Sequence, residues 1–175
     1  GGDPMFIFNW NHKDPDVRPL IRNRDFKLGL SHALDRETIN NVVYLGQGTP
    51  SQGITSPYSP WGRTTPEGEA LMEEWRNLGI EYDVDKANDL LDAAGLDQKD
   101  GEGFRLLPNG NRLKLVMITG NAPESRAVDV MEMAVEMWRD VGIDIILNIQ
   151  EAAAVGERRT TSDYDIDGWD AWSGY

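Results

Sequence analysis

The pattern that most limits how this chain can fold lies between residues 113 and 149. Residues 113–119 read LKLVMIT, an apolar run of strand length. Residues 125–141 then carry Ala127, Val130, Met131, Ala134, Trp138 and Val141 at three- and four-residue steps, the spacing of one apolar stripe on a helix. Gly142 interrupts, and residues 143–149, IDIILNI, return to β-branched, strand-forming chemistry. Strand, helix and strand in so short a span form a βαβ unit, and a parallel pair joined by a right-handed crossover is its natural packing. A parallel sheet needs helices on its faces, so the chain is expected to be a layered α/β fold. Trp138 is expected to be buried because it shares the stripe. Gly142, and Gly95 earlier in the chain, are expected to stop helices with a positive φ.

The remaining segments fit around that unit. Residues 5–9, MFIFN, read as a buried strand, and residues 11–16 as a loop containing Pro15. A helix over 17–23 is confined to a first turn by Pro19. Phe26, Leu30, Ala33 and Leu34 give the next helix an apolar face. Asp35 can cap another over 36–45, in which Ile39, Val42 and Val43 form the stripe and Gly46 ends it. Residues 49–67 hold Pro50, Pro57, Pro60 and Pro66 and read as a long loop, with Tyr58 and Trp61 either over the core or lining a cleft. A helix over 68–78 places Leu71, Trp75 and Leu78 on one face, and Trp75 is expected in the core. Asp83 or Asp85 caps a helix over 86–94 that carries Ala87, Leu90, Leu91 and Ala94. Pro108, Asn109 and Gly110 supply a hairpin turn ahead of residues 113–119. A short helix over 152–159 and a last strand over 164–172 complete the chain.

Charge and composition exclude several classes of function. The 30 acidic residues against 17 basic ones leave a net charge of −13. That disfavours nucleic acid, whose phosphates need clustered Lys and Arg, and anionic membrane surfaces. There is no cysteine, hence no disulfide framework or thiolate metal site. No apolar run approaches the ~20 residues of a membrane-spanning helix. The opening GGDPM has no basic-then-apolar leader, and the chain stops at Tyr175 with no cap or tail. Both suit the expectation of a lobe cut from a longer precursor.

Catalytic and metal motifs are weak. Asp163, Asp165, Asp167 and Gly168 copy the first half of a calcium loop, but its twelfth position, which needs a bidentate glutamate, is Gly174. The same residues fit a strand with one wet face. Gly46-Gln47-Gly48 leaves a helix and lacks a following Lys-Ser/Thr, so it reads as a turn. His12 and His32 lack metal-ligand spacing, and His32 is expected at the surface or bonded to a partner. No catalytic residue, metal or cofactor is assigned. The tryptophans remain. Trp169 and Trp172 lie three apart in the expected last strand, so one ring should be buried and the other available.

Five segments in order carry a resemblance. FNWNHKDPDVRP leads into HALDRETI and VYLGQGTP. YDVDKANDLLDAAGL, GFRLLPNGNRLKLVMIT, MWRDVGIDIILNIQ and DYDIDGWDAWSGY follow. Together they resemble the extracellular solute-binding proteins of ABC importers, in the oligopeptide, dipeptide and nickel branch known as family 5. The resemblance implies a periplasmic-binding-protein-like α/β lobe with a mixed sheet flanked by helices, spanning 1–175 as one lobe, C-terminal-lobe-like, of a two-lobed protein. It implies a peptide or oligosaccharide solute, the other lobe and a membrane permease as partners. It also implies a periplasmic or extracellular location, with lipid anchoring left open. The segment after the last strand lines the family's ligand cleft, which points to Trp172, Ser173, Gly174 and Tyr175, then Trp169 and Asp170, and at the end of the first strand Asn9, Trp10 and Asn11. In the family's peptide receptors an aspartate shortly after the final tryptophan pairs with the ligand's free amine. Tyr175 stands at the matching position, so independence of a free amine is expected. The alternatives from other classes are a hydrolase using Asp163, Asp165, Asp167 and Asp170, and a calcium-dependent interaction module.

Overall fold

The computed structural model describes residues 3–52 and 65–171. Along the chain run β1 (Asp3–Phe8), α1 (Val17–Arg22), α2 (Arg24–His32), α3 (Arg36–Tyr44), α4 (Pro66–Asn77) and α5 (Val84–Ala93). Then follow β2 (Lys114–Thr119), α6 (Arg126–Asp140), β3 (Asp144–Ile149), α7 (Ala152–Thr161) and β4 (Ile166–Ala171).

The βαβ unit forms as its periodicity demands. The Ser125 side chain caps α6 by accepting from the amide of Val128, and β2 and β3 pair in parallel from Lys114–Asp144 to Thr119–Ile149. After α6 the chain turns at Gly142 with φ +86. A Cβ there would lie 2.7 Å from the carbonyl oxygen of Gly103, so both backbone conformation and space require glycine. The expected positive φ is also present at Gly95. The sheet order is β1-β4-β2-β3. β4 runs parallel to β2, and β1 runs antiparallel to β4 from Asp3–Ala171 to Phe8–Ile166. The result is a mixed sheet flanked by helices.

The core lies between α6, one face of the sheet, and α2 with α5. Phe26, Leu30, Leu91, Leu113, Leu115, Met117 and Met131 are all buried there. Trp138 is 1% exposed. Its indole N–H donates to the carbonyl of Leu30 at 2.8 Å, and its ring meets Phe6 edge-on at 4.8 Å, so one side chain joins α6, α2 and β1. Arg105, also 1% exposed, is a second tie. Its guanidinium donates to the carbonyls of Val141 and Leu96 and to the side chains of Asp92 and Asn88. Those bonds satisfy a cation that could not otherwise be buried.

Several expectations need correcting. Trp75 is 55% exposed, as are Leu71 and Leu78 in large part, and α4 has no buried residue. Its periodicity is real, but nothing among the described residues covers the stripe. β1 is an edge strand, half-buried, with Ile7 exposed, because only β4 pairs with it. Asp167 does not lie on a wet face: it is buried against α7. The turn at 108–110 closes only a single antiparallel bridge, Leu106 to Arg112, since both edges of β2 are taken by β3 and β4. α3 ends one residue early because Leu45 itself adopts a left-handed φ of 54 before Gly46. The Asn23 side chain, unrecognised from the sequence, caps α2 by accepting from the amides of Asp25 and Phe26. The Asp35 and Asp83 caps form as read. His32 is buried, with Nδ1 2.8 Å from the carbonyl oxygen of Glu81. The expectations for Tyr58 and Trp61 lie outside the described residues.

Candidate functional site

Three parallel strands end on one rim of the sheet, at Thr119, Ile149 and Ala171. The helices that follow β2 and β3 cover opposite faces. Gly168 of β4 faces α6, where a Cβ would lie 2.6 Å from the Met131 sulfur. Its neighbours Asp167 and Trp169 point the other way, to Arg159 of α7. The chain therefore leaves β2 toward one face and β3 toward the other. Such a divergence marks the place outside the carboxyl ends of the strands where open α/β sheets usually bind their ligands.

Polar side chains occupy this rim. The Thr119 hydroxyl donates to the carbonyl of Gly168 at 2.8 Å and accepts from the Asn121 amide at 3.0 Å. The backbone amide of Gln150 donates to the Thr119 carbonyl, and the Gln150 Oε1 is buried with no partner among the described residues. Thr119, Asn121, Gln150 and Arg159 were not singled out in the sequence. Thr119, Asn121 and Gln150 were signalled by polar residues at or just after the ends of apolar strand runs, whereas Arg159, inside α7, had no such signal.

The most organised part of the rim surrounds Trp169. Arg159 donates from Nε and Nη2 to the two oxygens of Asp167 at 2.6 and 2.9 Å, a bidentate, charge-assisted pair. The Asp167 side chain is 4% exposed and that of Arg159 31%. The same guanidinium lies 4.0 Å from the centroid of the Trp169 ring, within cation–π range. Trp169 itself is 39% exposed. Burial and the neighbouring Asp167 charge push the Tyr164 phenol up, with Arg159 opposing.

Three other residues singled out from the sequence, Asn9, Trp10 and Asn11, do not join this site. Because β1 is antiparallel to β4, its carboxyl end meets the amino end of β4. Asn9, Trp10 and Asn11 therefore sit at the opposite end of the sheet from Trp169. The Asn9 amide is committed to the carbonyls of Tyr164 and Ser162, and its Oδ1 accepts from the amide of Asn11. Trp10 is exposed between Lys27 and Arg22, 4.7 and 5.6 Å from its ring centroid. Asp170 is placed by its backbone opposite Pro4. Trp172, Ser173, Gly174 and Tyr175 lie outside the described residues.

The aspartates of the calcium-like motif are spread over separate partners. Asp163 pairs with Arg158 at 3.3 Å and Asp167 with Arg159. Asp165 is 2.6 Å from His12 Nε2 and accepts from the amide of Val116. Among the described residues no group of three or more His, Asp or Glu side chains could hold a metal ion.

Comparison with known proteins names the class. The family described as "Bacterial extracellular solute-binding proteins, family 5 Middle" matches residues 2–175, and the chain belongs to that family. It is similar to the oligopeptide-binding protein OppA, whose structure superposes with a TM-score of 0.83 at 30% identity over 97% of this chain and 25% of that one. It is 27% identical over 160 residues to the periplasmic alpha-galactoside-binding protein of Rhizobium meliloti (strain 1021), covering 86% of this chain and 21% of that protein. It is 26% identical over 164 residues to the oligopeptide-binding protein AppA of Bacillus subtilis (strain 168), covering 91% and 27% respectively. The chain thus spans about a quarter of the length of the relatives it matches. The match supports neither the hydrolase nor the calcium-module alternative.

Proposed function

We propose that this chain is one α/β lobe of a two-lobed solute-binding protein, periplasmic or extracellular, that captures a peptide or an oligosaccharide and presents it to the membrane permease of an ABC importer. The observation that carries this reading is an exposed tryptophan, Trp169, braced at the carboxyl rim of a sheet of this family. The names of the relatives, one for α-galactosides and two for oligopeptides, support both ligand classes. Trp169, Asp170, Trp172, Ser173, Gly174 and Tyr175 form this lobe's contribution to the cleft, with Asn121 and Gln150 as polar neighbours on the rim. Asn9, Trp10 and Asn11 lie too far along the sheet to share that wall.

One wall holds a ligand poorly. Solute receptors of two lobes close around a hinge, and most of the ligand's surface is covered only then. Calorimetry of the full-length protein against peptides and neutral oligosaccharides tests the reading. Binding in the micromolar range or tighter to a member of either class is expected, and N-acetylation of a bound peptide should leave its affinity unchanged. Binding to neither class would refute the reading.

A further inference from the structure

Helix α4 is turned the wrong way round for a helix that serves only its own lobe. On the reading that this chain is part of a solute-binding protein, we propose that the stripe Leu71, Trp75 and Leu78 docks on the membrane permease, in an apolar groove rimmed by Lys or Arg.

Four observations lead there. The first is orientation. The partly covered residues of α4 are Gly68, Met72 and Arg76, four apart, so they form the side turned to the rest of the chain. Leu71, Trp75 and the cap residue Leu78 run beside that side, each about half exposed. A surface helix ordinarily turns its apolar stripe to the core, and α4 turns it to solvent. The second is spacing. The three residues stand at i, i+4 and i+7, the positions by which an amphipathic helix fills a partner's groove. Tryptophan is also enriched among the residues that dominate binding energy.

The third is mounting. The Gln52 amide donates to the Arg76 carbonyl, its side chain to the Leu78 carbonyl, and the Ser31 hydroxyl to the Gly79 carbonyl. These bonds fasten the end of α4 beside the end of α2 and leave the stripe open. Twelve residues are marginal as a helix without packing on their apolar side, so the stripe gains from a cover. Ser31 adjoins Leu30, which bonds to Trp138 in the last turn of α6. α6 ends where β3 begins, so the attachment lies toward the amino ends of the parallel strands, away from the carboxyl rim.

The fourth is charge. Glu67 stands four residues before Leu71 and Glu74 four before Leu78, both exposed, so carboxylates border the stripe. They disfavour an anionic membrane surface. They also disfavour a second copy of this acidic chain, whose own α4 brings the same glutamates. A groove with Lys or Arg at its rim answers them. The polypeptide that such a receptor must meet to deliver its solute is the permease.

Two measurements on the full-length protein test this. In the first, a benzophenone amino acid replaces Trp75 and the protein is irradiated in intact cells that carry its importer. It should cross-link to a membrane subunit of that importer, beside Lys or Arg. Any other product, whether within the protein itself, to a second copy or to none, overturns the proposal. In the second, Trp75→Ala, Leu71→Asp and the double variant Glu67→Lys, Glu74→Lys are compared with the wild type. Calorimetry gives the affinity for the best-bound oligopeptide or neutral oligosaccharide, and uptake of that solute is measured at limiting receptor. Each variant should keep its melting profile and its solute affinity within about twofold. Trp75→Ala and Leu71→Asp should lower uptake about tenfold, the order of one lost anchor. The charge reversal should lower it about threefold, and added salt should weaken wild-type uptake. Unchanged solute binding with unchanged uptake would overturn the docking surface and leave the transport reading standing. Loss of solute affinity or of stability in Trp75→Ala would overturn it too, because the stripe would then be covered by the protein itself. A wild type that binds neither solute class would overturn the transport reading and, with it, the permease as partner.

Discussion

Helices α6 and α4 carry the same kind of pattern and meet opposite fates. Each repeats apolar residues at helical spacing, each has a capping side chain at its start, Ser125 or Thr65, and each holds a tryptophan in its stripe. In α6 the stripe is buried and the helix is tied in its last turn and just past its end, by Trp138 to Leu30 and by Arg105 to Val141. In α4 no residue is buried, and Trp75 stands more than half exposed. Periodicity thus reports which side of a helix is apolar and not whether anything covers that side.

Substitutions sharpen that contrast. Trp138→Ala should have the largest effect, a loss of about 3–5 kcal/mol, because it removes a buried aromatic and strands the Leu30 carbonyl. Urea unfolding measures it, and a loss below about 1 kcal/mol would put α6 on the same footing as an exposed helix. Arg105→Ala should come next at about 3 kcal/mol, since it frees buried acceptors at the end of α6. A near-neutral result would mean that those carbonyls find other donors. Gly142→Ala should cost about 1–2 kcal/mol from the left-handed φ alone, more if the Gly103 carbonyl cannot move. Trp75→Ala should be the smallest, within about 0.5 kcal/mol. If it proved as costly as Trp138→Ala, α4 would be covered after all, and the contrast would collapse.

Much of the fold was legible because local signals agreed with global packing. The βαβ unit, the Asp35 and Asp83 caps and the glycine stops at Gly95 and Gly142 each depend on residues close in sequence. The site was legible only where it follows from strand ends. Trp169 was named as a candidate through the family resemblance, but its brace was not foreseen. Nothing in the spacing of Arg159 and Asp167 says that a helix and a strand will bring them to 2.6 Å. Pairing also decided what a linear reading could not. Asn9 follows β1 and Trp169 lies near the end of β4, yet the antiparallel register of β1 sends them to opposite ends of the sheet.

That same register dictates an order of assembly. Among the described residues the only sheet partner of β1 is β4, far along the chain. The Asn9 amide that seals the junction reaches a carbonyl 155 residues away. Bringing together the ends of so long a loop costs about 4–5 kcal/mol of chain entropy. The β2–α6–β3 contacts, by contrast, are local and can form early. β1 is therefore the last of these strands to be placed. Until it arrives, one edge of β4 and the Phe6 side of Trp138 stay open, and the unfinished fold is exposed to edge-to-edge pairing with other chains.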